Sequence, residues 1–174
     1  MSAKRNIKYI VSGAVISACY VGLTFFSNLF GLAYAGVQFR ISEALTVLPV
    51  FGTVSIPALT IGCFISNIAS FNPIDMVFGT LATLISSLLT YYLRKIKFFG
   101  IPFLSVLAPV IVNALIVGAE IAFFFTEGTA SAVSFIISAL WVALGELTVC
   151  FALGIPLYFA VKGNQTLNKF FNIS

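Results

Sequence analysis

The sequence predicts an all-α integral membrane protein: one domain, residues 1–174, with six transmembrane helices and both termini in the cytoplasm. Of its 174 residues, 60% are hydrophobic and only 8% are charged, whereas about a quarter of a soluble domain is charged. The mean hydropathy is +1.12, and the apolar residues form long runs flanked by basic residues. Because a soluble core of this size could not hold so much apolar surface, most of the chain must contact lipid.

The first predicted helix is the apolar run 7–26, which follows the basic stretch KRNIKY. A signal peptide has an apolar core of roughly 7–15 residues, and this run is longer. It therefore predicts a retained helix of the ~20 residues that a bilayer requires. Ala33 and Ala35 resemble a cleavage site, so a signal peptide is the alternative.

The next two runs, 38–54 and 55–71, are short, and each contains a proline, Pro49 or Pro57. The uncharged stretch FGTVSIP between them indicates a tight turn. They predict either two short crossings or a re-entrant pair. Both arrangements return the chain to the side that it left, so the orientation of the other helices is unchanged.

Three further runs, 73–93, 101–125 and 132–161, complete the six predicted crossings. An even number of crossings leaves eight of the nine Lys and Arg residues on one side, with Arg40 alone on the other. Excess positive charge marks the cytoplasmic side. Because the basic residues flank membrane runs and do not form one basic face, nucleic acid is not a predicted partner. The longest outer loop, 27–38, is aromatic and is predicted to act as a lid.

The chain contains no histidine, which excludes His-based catalysis and His-ligated metals. The three cysteines lie in apolar runs without a C-x-x-C pattern, and small buried hydrophobes are their expected role. These absences predict a protein that is not an enzyme and needs no cofactor or metal. The cysteines are Cys19, Cys63 and Cys150.

Polar side chains within the runs predict a binding cup that opens to the outside. Four of the five acids lie in the runs, and ionisable groups inside a bilayer are functional candidates. Glu120 follows Asn113 by seven residues, which places both on one helix face. The predicted substrate-binding residues are Gln38, Arg40, Glu43, Asn67, Asp75, Asn113, Glu120, Trp141 and Glu146.

Several of these residues have a structural alternative. Asp75 lies in NPID, which has the pattern of a helix start. Arg40 and Glu43 are three residues apart and could pair on one helix. Asn113 could join two helices by a hydrogen bond, and Trp141 could anchor a helix at the membrane interface.

The excess of acids over the single Arg40 indicates the chemistry of the ligand. It favours a cation or a neutral molecule rich in N–H donors, because a carboxylate can accept two parallel N–H hydrogen bonds. Trp141 or an aromatic residue of the lid could stack on a flat ring. An anionic substrate is disfavoured.

Small residues on the first helix predict a surface for a partner. Ala14, Ala18 and Gly22 are spaced by four residues, so they form a flat ridge that another helix can approach closely. Packing within this same domain is the alternative use of the ridge.

Three stretches, VQFRISEALTVLPVF, DMVFGTLATL and LWVALGELTV, resemble the queuosine-precursor transporter family. The short helices, the Ala-x-x-x-Ala spacing and the outward cup also resemble the substrate-binding component, or S component, of an energy-coupling factor (ECF) transporter. The resemblance implies a multi-pass protein of the bacterial cytoplasmic membrane that binds queuine or a related 7-deazaguanine from outside.

The resemblance also implies partners, namely a transmembrane coupling protein and two ABC ATPases that drive uptake by toppling the S component. In that superfamily the coupling protein contacts the Ala-x-x-x-Ala face, matched here by Ala14 and Ala18. The chain has no G-x-x-x-x-G-K-[ST] loop of its own, the nucleotide-binding pattern. The alternatives are an S component for another vitamin-like ligand and a stand-alone ion-coupled carrier, since midplane carboxylates can relay protons.

Overall fold

The computed structural model describes residues 3–31, 39–68, 73–126 and 131–171, and no β-strand forms in these ranges. We number the α-helices along the chain and name the 3₁₀ and π segments by their type. The elements are α1 Ala3–Leu29, the 3₁₀ helix Ile41–Val50, α2 Ser55–Ile68, α3 Pro73–Leu93, α4 Phe103–Glu120, the first π turn Ile121–Phe125, α5 Ala132–Val149, the second π turn Cys150–Gly154, α6 Ile155–Gly163 and α7 Gln165–Phe171.

Four helices of the described chain are long and apolar enough to cross a membrane, which confirms an all-α membrane protein. They are Arg5–Leu29, Pro73–Leu93, Phe103–Phe125 and Ala132–Gly163. The runs 38–54 and 55–71 contain shorter helices, Ile41–Val50 and Ser55–Ile68. At ~1.5 Å per residue, α2 is about 21 Å long, whereas the bilayer core is ~30 Å thick. The count of six crossings and the side of the termini therefore stay predictions.

The 3₁₀ helix lies at the centre of the bundle and contacts α1, α2, α3, α4, α5 and α6. Its sequence, ISEALTVLPV, is apolar or small on every side except at Glu43, and a helix that is apolar all round is buried all round. Ten residues are long for a 3₁₀ helix, which usually ends after three or four. The packing around this segment carries Glu43 into the interior of the bundle.

The helix boundaries agree with the predicted runs at most ends. α3 begins at Pro73 and α5 at Ala132, as predicted. α1 continues to Leu29, so the first three residues of the predicted loop 27–38 belong to that helix. Most of the rest of this loop, with its predicted role as a lid, lies outside the described residues, as does Glu127.

Each of the last two predicted runs contains a π turn. The first π turn ends the run 101–125, and the second lies within the run 132–161. The second π turn ends immediately before α6, which has Pro156 in its first turn. Proline lacks an N–H group and its ring clashes with the carbonyl four residues earlier. A wider turn at this point relieves the clash and keeps the span Ala132–Gly163 continuous.

Helices α1 and α2 approach each other closely at Gly62. A Cβ atom at this position would lie 2.9 Å from the Cβ of Tyr20 and 3.1 Å from the backbone oxygen of Ser17. Membrane helices pack through such small residues. The contact holds Tyr20 in the core, where its side chain is fully buried.

The distribution of residues is the reverse of that in a soluble protein. The charged and amide side chains inside the bundle are buried, while large apolar side chains are exposed along α1, α3, α4 and α5. Exposed apolar surface on this scale requires an apolar solvent. Examples on the four helices are Ile10, Phe25, Val77, Leu81, Ile111, Leu115, Ile136 and Leu140.

Candidate substrate-binding site

A cluster of polar and charged side chains lies inside the bundle and includes seven of the nine predicted substrate-binding residues. No member of the cluster is more than 9% exposed. The cluster draws on six segments: the residue before the 3₁₀ helix, the helix itself, α2, α3, α4 and α5. Its members are Arg40, Glu43, Asn67, Asp75, Asn113, Glu120 and Glu146.

Arg40 is held on one side of the cluster by Asn67. Its Nη1 atom donates a hydrogen bond to Oδ1 of Asn67 at 3.2 Å. The amide nitrogen of Asn67 donates in turn to the backbone oxygen of Asp75 at 3.0 Å. Arg40 is also attracted electrostatically to all four buried carboxylates, those of Glu43, Asp75, Glu120 and Glu146.

The arrangement around Asn67 depends on Gly79 of α3. A Cβ atom on Gly79 would lie 2.6 Å from the amide nitrogen of Asn67 and 4.0 Å from Nη1 of Arg40. A contact under 3 Å cannot be accommodated without movement. Gly79 was not among the predicted residues, although it lies in the family-like stretch DMVFGTLATL.

Glu43 and Glu146 form the other side of the cluster, with Asn113 between them. The hydroxyl of Tyr20 donates a short hydrogen bond to Oε1 of Glu43. Nδ2 of Asn113 donates to Oε1 of Glu146 at 2.8 Å, and Asn113 also interacts with the Glu43 side chain. The interhelical hydrogen bond that was the structural alternative for Asn113 is therefore present, and it lies within the cluster.

Cys150 adds a thiol to this side of the cluster. Its Sγ atom lies 3.7 Å from Oε2 of Glu146 and 3.8 Å from the backbone oxygen of Glu43. Cys150 and Cys63 are buried, as predicted, whereas Cys19 is exposed. Tyr20 and Cys150 were not predicted to be part of the site. The spacing of four between Glu146 and Cys150 is the signal that could have indicated the thiol.

Three carboxylate oxygens of the cluster have no hydrogen-bond partner among the described residues: Oε2 of Glu43 and both oxygens of Glu120. The neighbour of Glu120 is the acid Asp75, at hydrogen-bond distance, so the two carboxyl groups either share a proton or repel each other. An unsatisfied buried acceptor costs about 1–3 kcal/mol, and such a group in a native protein requires an explanation. A ligand that donates N–H groups would satisfy these oxygens. Among the described residues, no group of three or more His, Cys, Asp or Glu could hold a metal ion.

Two predicted residues do not join the cluster in the described structure. Trp141 is 49% exposed on α5 and makes no hydrogen bond or ring contact with the described members of the cluster. This exposure favours its alternative role as an anchor at the membrane interface. Gln38 lies outside the described residues.

The predicted partner ridge lines an apolar groove between α1 and α2, with a volume of ≈ 780 Å³. Ala14, Ala18 and Gly22 are all exposed, and a Cβ atom on Gly22 would meet nothing within 4 Å. Among the described residues the ridge is exposed, and its use as a partner surface stays a prediction.

Comparison with known proteins gives the family. The family model described as QueT transporter matches residues 10–163, which include every member of the cluster. The chain belongs to the QueT transporter family. This confirms the resemblance to that family seen in the sequence.

A relative from the same family is the queuosine precursor transporter QueT of Lactococcus lactis subsp. cremoris (strain MG1363). It is 42% identical to this chain over 83 residues, which are 47% of this chain and 49% of that protein. The match thus spans about half the length of the relative. No solved structure matches the chain.

Proposed function

We propose that the chain is the S component of an ECF-type importer, and that it captures a queuosine precursor, queuine or a related 7-deazaguanine, from outside the cell. The observation that carries the proposal is the set of unpartnered carboxylate oxygens on Glu43 and Glu120 inside a member of the QueT transporter family. The relative from Lactococcus lactis is named as a queuosine precursor transporter, which supports the choice of ligand.

The chemistry of a 7-deazaguanine fits the buried cluster. Its ring offers adjacent N–H donors, and a carboxylate such as Glu120 can accept two of them in parallel. The amine of queuine is cationic and would be attracted by Glu43 or Asp75. Arg40 limits the excess of negative charge when the site is empty, because it faces all four acids.

The proposed arrangement in the membrane has six crossings, both termini in the cytoplasm and the site open to the outside of a bacterial cell. Arg94, Lys95 and Lys97 line the same cavity as Lys162, so these two basic clusters share one end of the bundle. Ser12 of α1 donates a hydrogen bond to the backbone oxygen of Phe170, which brings α1 close to the C-terminal helix. Positive charge at one end supports a cytoplasmic assignment for that end.

The proposed partners are a transmembrane coupling protein and two ABC ATPases. The apolar groove is lined in part by the small residues Ala14, Ala18 and Gly22, and close approach at small residues is how membrane helices associate. ATP hydrolysis by the partners would topple the chain and move the bound precursor to the cytoplasm.

A titration of the purified chain in detergent with queuine tests the proposal, with riboflavin as the matched control vitamin. We expect saturable binding of queuine or a close 7-deazaguanine and none of riboflavin. Binding of a different vitamin together with no binding of any 7-deazaguanine would overturn the substrate assignment.

The second candidate is a stand-alone, ion-coupled carrier, which the four buried carboxylates favour because such groups can relay protons. Proteoliposomes that contain this chain alone separate the two functions. Uptake driven by a proton gradient without ATPases indicates the carrier. Uptake that requires the coupling protein, the ATPases and ATP indicates the S component.

A further inference from the structure

A second cavity, of ≈ 490 Å³, lies at the other end of the bundle from the buried acids. Helix α3 connects the two sites: Asp75 is in its first turn, and Arg94 follows its last residue. Nineteen residues of helix correspond to about 28 Å. This basic pocket is lined by Val50, Phe51, Arg94, Lys95, Lys97, Tyr158, Lys162 and Asn168.

The basic pocket combines four cationic side chains without an acid. Arg94, Lys95, Lys97 and Lys162 line it, and none of its lining residues is Asp or Glu. The described acids of the chain all belong to the buried cluster near the start of α3. Four cations around one cavity repel each other, and an anion bound between them would remove that repulsion.

Two of the four cations, Arg94 and Lys162, pack against aromatic rings. The guanidinium of Arg94 lies over the ring of Tyr91, 3.6 Å from its centroid, and its Nη1 donates to the backbone oxygen of Tyr91 at 2.6 Å. The Lys162 ammonium lies 5.6 Å from the ring centroid of Tyr158. Tyr158 is itself buried and donates to the backbone oxygen of Gly100 at 3.4 Å. The geometry of the pocket is therefore formed in advance of any ligand.

Beside the pocket, a tight turn presents aromatic side chains to the surroundings. Phe98 and Ile101 close the turn with a pair of backbone hydrogen bonds of 2.9 and 3.0 Å. Phe99 at its tip has a φ of 50° and is fully exposed. A bulky residue in the left-handed region is uncommon and costs energy. An exposed aromatic residue next to Lys97 is the combination found where a chain meets the membrane interface.

We propose that the basic pocket binds the phosphate headgroup of an anionic phospholipid. Arg94, Lys97 and Lys162 contact the phosphate, and Phe98 and Phe99 contact the upper part of the acyl chains. Basic pockets at the ends of transmembrane helices bind anionic headgroups in this way. The exposed aromatic residues favour a lipid over a soluble phosphate, which has no apolar part. This site is separate from the proposed substrate site.

The test uses the full chain in a neutral detergent, titrated with phosphatidylglycerol or phosphatidylcholine and followed by native mass spectrometry and thermal unfolding. We expect phosphatidylglycerol to bind and to raise the melting temperature, and phosphatidylcholine to do neither. Changing Lys97→Gln and Lys162→Gln together should weaken phosphatidylglycerol binding by about tenfold or more. Lys8→Gln is the matched control, because Lys8 is an exposed basic residue of α1 outside the pocket.

Three results would overturn the proposal. The first is equal binding of the two lipids, or equal loss of phosphatidylglycerol binding in the Lys8→Gln variant and the double variant. The second is stabilisation by inorganic phosphate that matches the effect of phosphatidylglycerol, which would assign the pocket to a soluble anion. The third is a double variant that keeps its lipid preference but loses co-purification with ATPase subunits, which would assign the pocket to a protein contact.

Discussion

At the scale of single residues, the proposed site depends on buried acceptors that have no hydrogen-bond donor among the described residues. Glu120 shows this most clearly, since no N–H or hydroxyl donor among the described residues reaches its buried oxygens, and its neighbour Asp75 is another acid, with which it must share a proton to avoid repulsion. We therefore expect the chain without ligand to be less stable than a variant with an amide side chain at this position. A functional site that is destabilised in the absence of its ligand is a familiar trade-off between stability and activity.

Replacing Glu120→Gln should separate these two properties. Queuine binding should weaken by at least ~1.5 kcal/mol, the scale of a charged hydrogen bond, while the melting temperature of the chain without ligand should rise because an amide can donate a hydrogen bond to Asp75, the neighbouring acid. Isothermal titration and thermal unfolding measure the two effects. Glu146→Gln is the comparison, since its Oε1 already has a partner in Asn113. In the Glu146→Gln variant queuine binding should also weaken, but the melting temperature should not rise. Unchanged queuine affinity in both variants would place the ligand elsewhere.

Gly79 sets the position of the amide that holds Arg40. In a Gly79→Ala variant, the new methyl group would meet the amide nitrogen of Asn67, and Asn67 would have to give up its hydrogen bonds to Arg40 and Asp75. We expect weaker queuine binding and a loss of stability of about 1–2 kcal/mol, the scale of those hydrogen bonds. Gly163→Ala is the matched control, because a Cβ atom there meets nothing within 4 Å. An equal effect of both changes on binding would contradict this role.

The charged members of the buried cluster could be predicted from sequence, because charged residues are rare in apolar runs. Arg40, Glu43, Glu120 and Glu146 were identifiable for that reason. Tyr20, Cys150 and Gly79 were not, because their roles depend on neighbours that the fold brings from distant segments. Trp141 was expected in the cup from its sequence position, but the rotation of α5 exposes it.

At the scale of elements, the 3₁₀ helix links the site to the rest of the bundle. The long apolar runs predicted the four longer helices well, because length and hydropathy alone define a membrane span. The run 38–54 has the same composition as a span, and an apolar run cannot by itself distinguish a lipid-facing helix from one buried inside the protein. Ile41–Val50 is the latter, surrounded by other helices.

Tyr20 joins α1 to this central helix through Glu43. A Tyr20→Phe variant would remove the hydroxyl donor of the buried Oε1 of Glu43, so the free energy of unfolding should fall by about 1–3 kcal/mol. Tyr9→Phe is the control on the same helix, since its hydroxyl makes a long, half-buried hydrogen bond of 3.5 Å to the backbone of Thr53. Chemical denaturation in detergent measures both. A Tyr9→Phe loss as large as that of Tyr20→Phe would show that the Glu43 contact has no special role.

At the scale of the whole molecule, the described structure separates three surfaces: a buried acidic cluster, a basic pocket about 28 Å away along α3, and an apolar groove on α1 and α2. The groove is lined in part by small residues, Ala14, Ala18 and Gly22. An S component that topples must hold its partner and its ligand through different surfaces, because the ligand has to remain bound while the chain changes its orientation in the membrane.

That separation predicts that the groove can be filled without loss of ligand binding. Ala14→Leu or Ala18→Leu should place a larger side chain on the floor of the groove and prevent a partner helix from approaching closely, so co-purification with the coupling protein should fall by about tenfold or more. Queuine affinity should stay within about twofold, because neither residue contacts the buried cluster. Val15→Leu is the matched control, an exposed residue of α1 that does not line the groove. Normal co-purification of both groove variants, or an equal loss in the Val15→Leu variant, would show that the coupling protein binds another face.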